Sequence, residues 1–296
     1  MTRFNRNCRA SSFASIAVLS VFARTHLGTT NIVKKELPLT FLIAGLVSFI
    51  VASETSRASR NPGDLITNNS VSPKANVLYL THSAGFKHEV LPLSRQILTD
   101  IGERTGAFVT TATEDCSLLS REQLKKFDAV VFYTTGELPI SEEQKIAFLD
   151  FIKSGKGFVG IHSATDTFYK WPEYGELVGG YFDGHPWHQD VTVKVEDNHH
   201  PATRHLEKSF KIKDEIYQMK NFSRGRVNVL LSLDTTSVDL TLPAVHRTDK
   251  DFALAWYREY GKGRAFYTAL GHRPEVWQDE RFQKHLVGAL RWVTRQ

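Results

Sequence analysis

Short apolar runs alternate with amphipathic segments between residues 75 and 161, and no other feature restricts the fold as strongly. The runs consist largely of apolar and β-branched residues, as is typical of strands that a parallel sheet buries on both faces. We predict strands over 76–81, 107–113, 128–134 and 157–161, and helices over 90–103, 120–127 and 141–154. This order is typical of a doubly wound α/β fold with a mostly parallel sheet.

The pattern changes after Pro172. The later strand-like segments are short or alternate between polar and apolar residues, which indicates antiparallel additions in the C-terminal half. These segments are 190–196, 210–212, 227–233 and 253–257, followed by a buried strand over 263–270 and a closing helix over 282–293. We therefore predict a single folded domain over residues 75–296.

The first 53 residues have the pattern of an export signal. Lys34-Lys35 precede the uncharged apolar run Leu37–Ala52, and polar residues follow. This order is typical of a secretory signal and predicts cleavage after Ser53, with translation beginning near Val33. The prediction is a secreted or periplasmic protein. A retained membrane anchor is the second choice, because the run is shorter than the roughly 20 residues of a membrane span.

Removal of this leader leaves a chain without net charge. Six of the 37 Lys and Arg residues lie in residues 1–53, but only one of the 32 Asp and Glu residues does. The remainder has equal numbers of basic and acidic residues, which argues against a nucleic-acid partner or stable membrane association after processing. Cys116 is then the single cysteine, so no intrachain disulfide can form. Residues 54–74 are polar and are predicted to form a disordered linker.

The stretch Gly157–Phe168 has the pattern of a nucleophile elbow with the wrong central residue. Small residues stand two positions before and two positions after His162, as a sharp strand-to-helix turn requires. Such a turn usually presents Ser or Cys. We expect His162 at the edge of the sheet, where its imidazole can act as an acid or a base near neutral pH.

Other histidines and carboxylates also follow predicted strands or lie in loops. Ligands bind beyond the carboxyl ends of the strands in doubly wound sheets, so these residues are candidates for one site. The loop 181–188 joins two imidazoles to three aromatic rings, which suits the C–H faces and hydroxyl groups of a sugar. We assign catalytic roles to His162, Asp166, Glu215 and His272, and substrate binding to His88, Glu137, Phe182, Asp183, His185 and Trp187.

The motifs together resemble the ThuA-like (trehalose utilisation) family of the class I glutamine amidotransferase-like superfamily. The matching pieces occur in order across 76–294: GFKH at 85–88, GIHSA-x-D at 160–166, GG-x-F-x-x-HP at 179–186, HP-x-T at 200–203, DE-x-Y at 214–217, GR-x-FY at 263–267 and LGH at 270–272. The resemblance implies a flavodoxin-like sheet and a link to sugar metabolism. In the amidotransferases the elbow carries a cysteine, so His162 excludes glutamine hydrolysis by that route.

We therefore expect a secreted carbohydrate-active protein, an enzyme that acts on a glycoside or keto-sugar by general acid/base catalysis. Two alternatives stay open at this point. One is a non-catalytic sugar-binding accessory protein. The other is a metal-dependent hydrolase that uses His88, His162 and His185. We expect no cofactor for the first two classes, whereas this hydrolase would need a divalent metal. The sequence leaves the substrate and the oligomeric state open.

Overall fold

The computed structural model describes residues 74–296, which belong to one compact unit. The predicted leader (1–53) and the predicted linker (54–74), apart from Lys74, lie outside the described residues. The strands are β1 (Ala75–Leu80), β2 (Phe108–Thr113), β3 (Ala129–Phe132), β4 (Gly157–Ile161), β5 (Tyr181–Phe182), β6 (Trp187–Val195), β7 (Ser209–Ile216), β8 (Met219–Lys220), β9 (Asn228–Leu233), β10 (Ala253–Tyr260) and β11 (Gly263–Thr268). The helices are α1 (Leu91–Thr105), α2 (Arg121–Leu124), α3 (Glu142–Lys153), α4 (Pro172–Val178), α5 (Pro274–Gln278) and α6 (Glu280–Val293).

Nine strands form one sheet, whose N-terminal half is parallel. The order is β2-β1-β3-β4-β11-β10-β9-β6-β7, and the first five strands of this order pair in parallel. Strands β1, β3 and β4 are almost completely buried, as continuous apolar runs predict. The predicted doubly wound, flavodoxin-like α/β fold is confirmed.

The other half of the sheet is antiparallel, as predicted from the change of pattern after Pro172. Strands β11, β10, β9, β6 and β7 pair antiparallel in that order. Strand β7 is the far edge of the sheet, yet Glu215 near its end contacts His162, which directly follows β4. The antiparallel half therefore curls back over the carboxyl end of the parallel half.

Ser120 and Ser141 are each followed three residues later by Gln, a spacing that predicts a capping box at the start of each helix, and the two have different outcomes. Ser141 and Gln144 form the predicted box at the start of α3, where each side chain bonds the backbone of the other residue. Ser120 makes no such bond at the start of α2, which is only four residues long and follows a 3-10 turn over Cys116–Leu119. The short helices α4 and α5 were not predicted, and each begins with a proline.

Some buried histidines lie away from the carboxyl edge of the parallel strands. His285 in α6 is buried against Phe266, and its Nδ1 donates to the carbonyl of Ala202. Burial lowers the pKa of His285 to about 3, so the ring is neutral at neutral pH.

Within residues 74–296, no helix has both the length and the hydropathy needed to cross a bilayer.

We predict that His285→Asn weakens the acid sensitivity of the fold. The unfolded chain binds a proton at His285 below pH 6.5, whereas the folded chain does not until about pH 3. Wild-type stability therefore falls as the pH drops through this window, and between pH 7 and 5 this residue accounts for a loss of about 2 kcal/mol. Asparagine keeps a donor for Ala202 but binds no proton. Urea unfolding at both pH values measures the difference, and equal losses in both proteins would contradict the assignment.

Candidate active site

The turn after β4 holds His162 in a strained backbone conformation. Its φ is 46°, in the left-handed region, as a nucleophile elbow requires. A Cβ added to Gly160 would lie 3.0 Å from the Tyr267 ring and 3.1 Å from Ala164, and this close packing favours glycine at the position. The sharp turn is as predicted, but the expected exposure of the ring at the sheet edge is not observed. The His162 side chain is 0% exposed.

Four side chains converge on this turn, and we call them the Glu215 cluster: His88, His162, Glu215 and His272. Each offers one ring nitrogen or carboxylate oxygen, and these four atoms all lie within 4.8 Å of one another. Glu215 Oε2 is 2.6 Å from His272 Nδ1 and 3.5 Å from His162 Nε2, and those two nitrogens are 3.3 Å apart. The structure thus brings together three of the four predicted catalytic residues, together with His88.

The cluster changes the protonation of its members. Burial alone would raise the pKa of Glu215, but the imidazoles of His162 and His272 outweigh it and hold the pKa of that carboxyl far below its usual value. Burial disfavours the charged form of His272, yet the bond to Glu215 outweighs it and raises the pKa of that ring. Burial lowers the pKa of His88 to about 3. A buried anion is therefore surrounded by imidazoles.

Hydrogen bonds behind the cluster fix its geometry. His162 Nδ1 donates to the carbonyl of Ala269 at 2.7 Å, which leaves Nε2 to face Glu215. The fully buried carboxylate of Asp214 accepts from the backbone N–H groups of Gly271, at 2.7 Å, and Arg273, at 3.2 Å. Asp214 thereby positions the turn that carries His272. Of these two adjacent residues of β7, Glu215 belongs to the cluster, and Asp214 holds the backbone turn beside it.

The open side of the cluster is lined by the predicted aromatic loop. His185 is 52% exposed, and its Nδ1 lies 3.1 Å from the second carboxylate oxygen of Glu215. Its ring stacks on Phe182, whose centroid lies 4.3 Å from that of Tyr217. Tyr217 in turn packs against His162, with centroids 4.2 Å apart. A polar ligand that enters here meets one exposed imidazole and an aromatic wall.

The predicted Asp166, Asp183 and Glu137 lie outside the Glu215 cluster. Asp166 accepts from the Tyr169 hydroxyl at 2.6 Å, and burial raises its pKa despite nearby His162. Asp183 pairs with His246 at 3.3 Å. Glu137 accepts from the backbone N–H of Lys170 at 3.2 Å. Their roles in binding or catalysis remain predictions.

The structure places Trp187 in the core and not beside the aromatic wall. It is the first residue of β6 and is 1% exposed. Its indole N–H donates to the carbonyl of Asp239, and its ring packs edge-on against Phe252. The sequence placed Trp187 in a loop, but the strand begins there and turns its side chain inward. Cys116 is also buried, and burial raises the pKa of its thiol to about 11, which does not favour a thiolate nucleophile.

Several contributing residues were not assigned roles from the sequence. Tyr217 and Asp214 stand beside Glu215 in the DE-x-Y motif, and that motif was the available signal for both. Tyr133 follows β3, packs against His162 and donates to the carbonyl of Gly271. Phe86 is 65% exposed and contacts the His88 ring edge-on. Phe86 stands in the GFKH motif, whereas nothing in the local pattern marked Tyr133.

The fold and the site together define a flavodoxin-like protein with the elbow of the amidotransferase-like enzymes but with histidine at the elbow position. The family model of ThuA, described as trehalose utilisation, matches residues 76–293. The chain therefore belongs to the ThuA family. No curated protein matches it.

Solved structures share the fold of this chain. A ThuA-like protein from Bacteroides uniformis ATCC 8492 is 27% identical, with a TM-score of 0.65 over 77% of this chain and 94% of that chain. A ThuA-like protein from Parabacteroides merdae ATCC 43184 is 21% identical, with a TM-score of 0.60 over 75% and 90% of the two chains. The cytoplasmic protein STM1381 from Salmonella typhimurium LT2 shares the fold at 14% identity, with a TM-score of 0.53 over 74% and 99%.

We predict that His162→Ala destabilises the protein by about 1–3 kcal/mol, because it removes a buried ring and leaves the carbonyl of Ala269 without its donor. His162→Asn is expected to lose less, since asparagine tolerates positive φ and can keep a donor near that carbonyl. The half-exposed His185→Ala is the control and should change stability by less than about 0.5 kcal/mol. Denaturant unfolding of the three variants measures this. Equal stabilities of His162→Ala and His185→Ala would contradict the buried role.

Proposed function

We propose that the protein is an exported enzyme that processes a carbohydrate by acid/base chemistry at the Glu215 cluster. The observation that carries the proposal is a nearly buried carboxylate, contacted by three histidines, at the edge of the sheet where this fold binds ligands. Membership of a family described as trehalose utilisation supports a sugar as the substrate. A glycoside or a keto-sugar of trehalose-type disaccharide metabolism fits this description.

The aromatic wall supports the choice of a sugar. Phe182 is partly exposed, stacks on the exposed His185 and packs against the buried Tyr217, so a sugar ring that contacts Phe182 would have its hydroxyl groups within reach of an imidazole. Asp183 and His246 offer further hydrogen-bonding groups beside this wall. This combination of apolar faces and a few polar groups is typical of small-molecule sites.

The carboxylates favour a keto-sugar over an ordinary glycoside. Hydrolysis of a glycoside usually needs two carboxyl groups, one on each side of the bond that breaks. Among the described residues, the cluster contains one carboxylate, that of Glu215. The neighbouring Asp214 does not face the cluster's histidines in the same way, since its carboxylate accepts from two backbone N–H groups. A carbonyl on the sugar acidifies the neighbouring C–H, so one base is enough to remove that proton. The imidazole–carboxylate pair then suffices for the first step.

We predict that Glu215→Gln lowers kcat at least about 100-fold on the sugar that the wild type turns over, because the neutral amide cannot stabilise the positive charge of the paired imidazole when that ring accepts the proton. Disaccharides and their 3-keto forms are the substrates to compare. Glu275→Gln is the matched control, since Glu275 is an exposed acid that pairs with Arg273 outside the cluster. An active Glu215→Gln variant would refute the assignment. Sugar binding without turnover by the wild type would favour the accessory-protein alternative.

Export is the second part of the proposal, and it rests on the leader. We predict that the mature chain begins at Glu54 and is found outside the cytoplasm, because Lys34–Ser53 has the pattern of a signal peptide. Cell fractionation followed by N-terminal sequencing measures both properties. A full-length chain in the cytoplasm would contradict export but would leave the proposed chemistry untouched.

A further inference from the structure

We propose that the Glu215 cluster is the binding site of a divalent transition-metal ion, with His88, His162, Glu215 and His272 as its ligands and Zn²⁺ as the best match. The inference shares its location with the proposed function and deepens it, but ion binding can be measured without any substrate. The ligand set differs from the metal alternative considered from the sequence: Glu215 and His272 enter it, and His185 leaves it.

The distances between the ligand atoms fit a four-coordinate ion. Ligand atoms that surround an ion tetrahedrally at about 2.1 Å lie about 3.4 Å from one another. His162 Nε2 is 3.3 Å from His272 Nδ1 and 3.5 Å from Glu215 Oε2. The 2.6 Å contact between Glu215 and His272 is shorter, and the remaining separations stay within 4.8 Å. Side-chain shifts of about 1 Å would complete the tetrahedron.

Supporting hydrogen bonds orient the ligands as in established metal sites. A ligating histidine usually donates its other ring N–H to a carbonyl or carboxylate, which fixes the tautomer and directs the free nitrogen to the ion. His162 does so through Ala269, at 2.7 Å. His185 Nδ1 lies 3.1 Å from the second oxygen of Glu215, within ion-pair distance. Asp214 holds the turn that carries His272 through two backbone bonds.

The charge of Glu215 is a further argument. Its side chain is 7% exposed, and its ion-pair partners within residues 74–296 are imidazoles, with no Lys or Arg among them. A buried carboxylate is stable only when a cation or several hydrogen bonds compensate it. The two imidazole nitrogens that face each other at 3.3 Å also need a proton or another cation between them. A divalent ion meets both requirements at once.

The donor atoms indicate the class of metal. Three imidazole nitrogens and one carboxylate oxygen suit Zn²⁺ and its transition-metal neighbours, whereas Mg²⁺ and Ca²⁺ prefer oxygen ligands. With these three histidines engaged as ligands, His185 stays half-exposed, with its Nδ1 3.1 Å from Glu215. Proton transfer to or from a bound sugar would then belong to His185.

Calorimetric titration of the full chain, purified without a polyhistidine tag and stripped with a chelator, tests the inference. ZnCl₂ is the first titrant and MgCl₂ the comparison. We expect one Zn²⁺ per chain with a dissociation constant in the micromolar range or tighter, and no comparable binding of Mg²⁺. Glu215→Gln and His272→Ala should each weaken binding of Zn²⁺ at least about 100-fold. His199→Ala should leave it unchanged, because His199 is 94% exposed and pairs with Asp197 outside the cluster.

Titration of the stripped chain with CoCl₂ gives an independent readout. Tetrahedral coordination by nitrogen and oxygen ligands should produce visible absorption well above that of aqueous Co²⁺, and this absorption should be lost in Glu215→Gln. Circular dichroism of each variant checks that it is folded. No binding of Zn²⁺ by the wild type, or equal binding by folded Glu215→Gln and His272→Ala, would overturn the inference. If the stripped chain turned over sugar, the proposed function would stand without the metal. If the chain bound Zn²⁺ tightly but turned over no sugar, the metal site would stand without the proposed function.

Discussion

The contact of Glu215 with His162 and His272 is the interaction on which the site depends, because it joins the two halves of the sheet. His162 follows a parallel strand, His272 follows the strand at which the sheet changes direction, and Glu215 comes from the far antiparallel edge. Electrostatic attraction favours this contact, since a buried carboxylate needs hydrogen-bond donors or positive charges beside it. The antiparallel additions are therefore part of the site and not merely an extension of the sheet.

The elbow keeps its geometry although its chemistry has changed. A positive φ at His162 and a glycine two residues earlier are the features that expose a nucleophile in other proteins. Here the same turn buries an imidazole under Tyr217 and Tyr133. A strained backbone persists only where the surroundings stabilise it, and the bonds from Tyr267 and to Ala269 do so here. The backbone conformation of the elbow therefore does not depend on which side chain the elbow carries.

The sequence was sufficient for local structure and insufficient for distant contacts. Strand β4 was predicted to the residue, and the capping box at Ser141 formed as expected, because both depend on neighbours in the chain. The approach of β7 to β4 depends on how a nine-stranded sheet curls, which no local pattern encodes. For the same reason the burial of His162 and the inward turn of Trp187 were not anticipated. The residues of the Glu215 cluster were nevertheless all named in advance, since chemistry and strand ends are visible in a sequence.

The adjacent carboxylates of Asp214 and Glu215 have a consequence for assembly. One supports the turn of His272 and the other meets the histidines, so a slip of β7 by one residue would exchange the two faces and misplace both groups. The site is complete only when β7, at the far edge of the sheet, has found its register. A chain with this strand misaligned by one residue would be compact but would lack the Glu215 cluster.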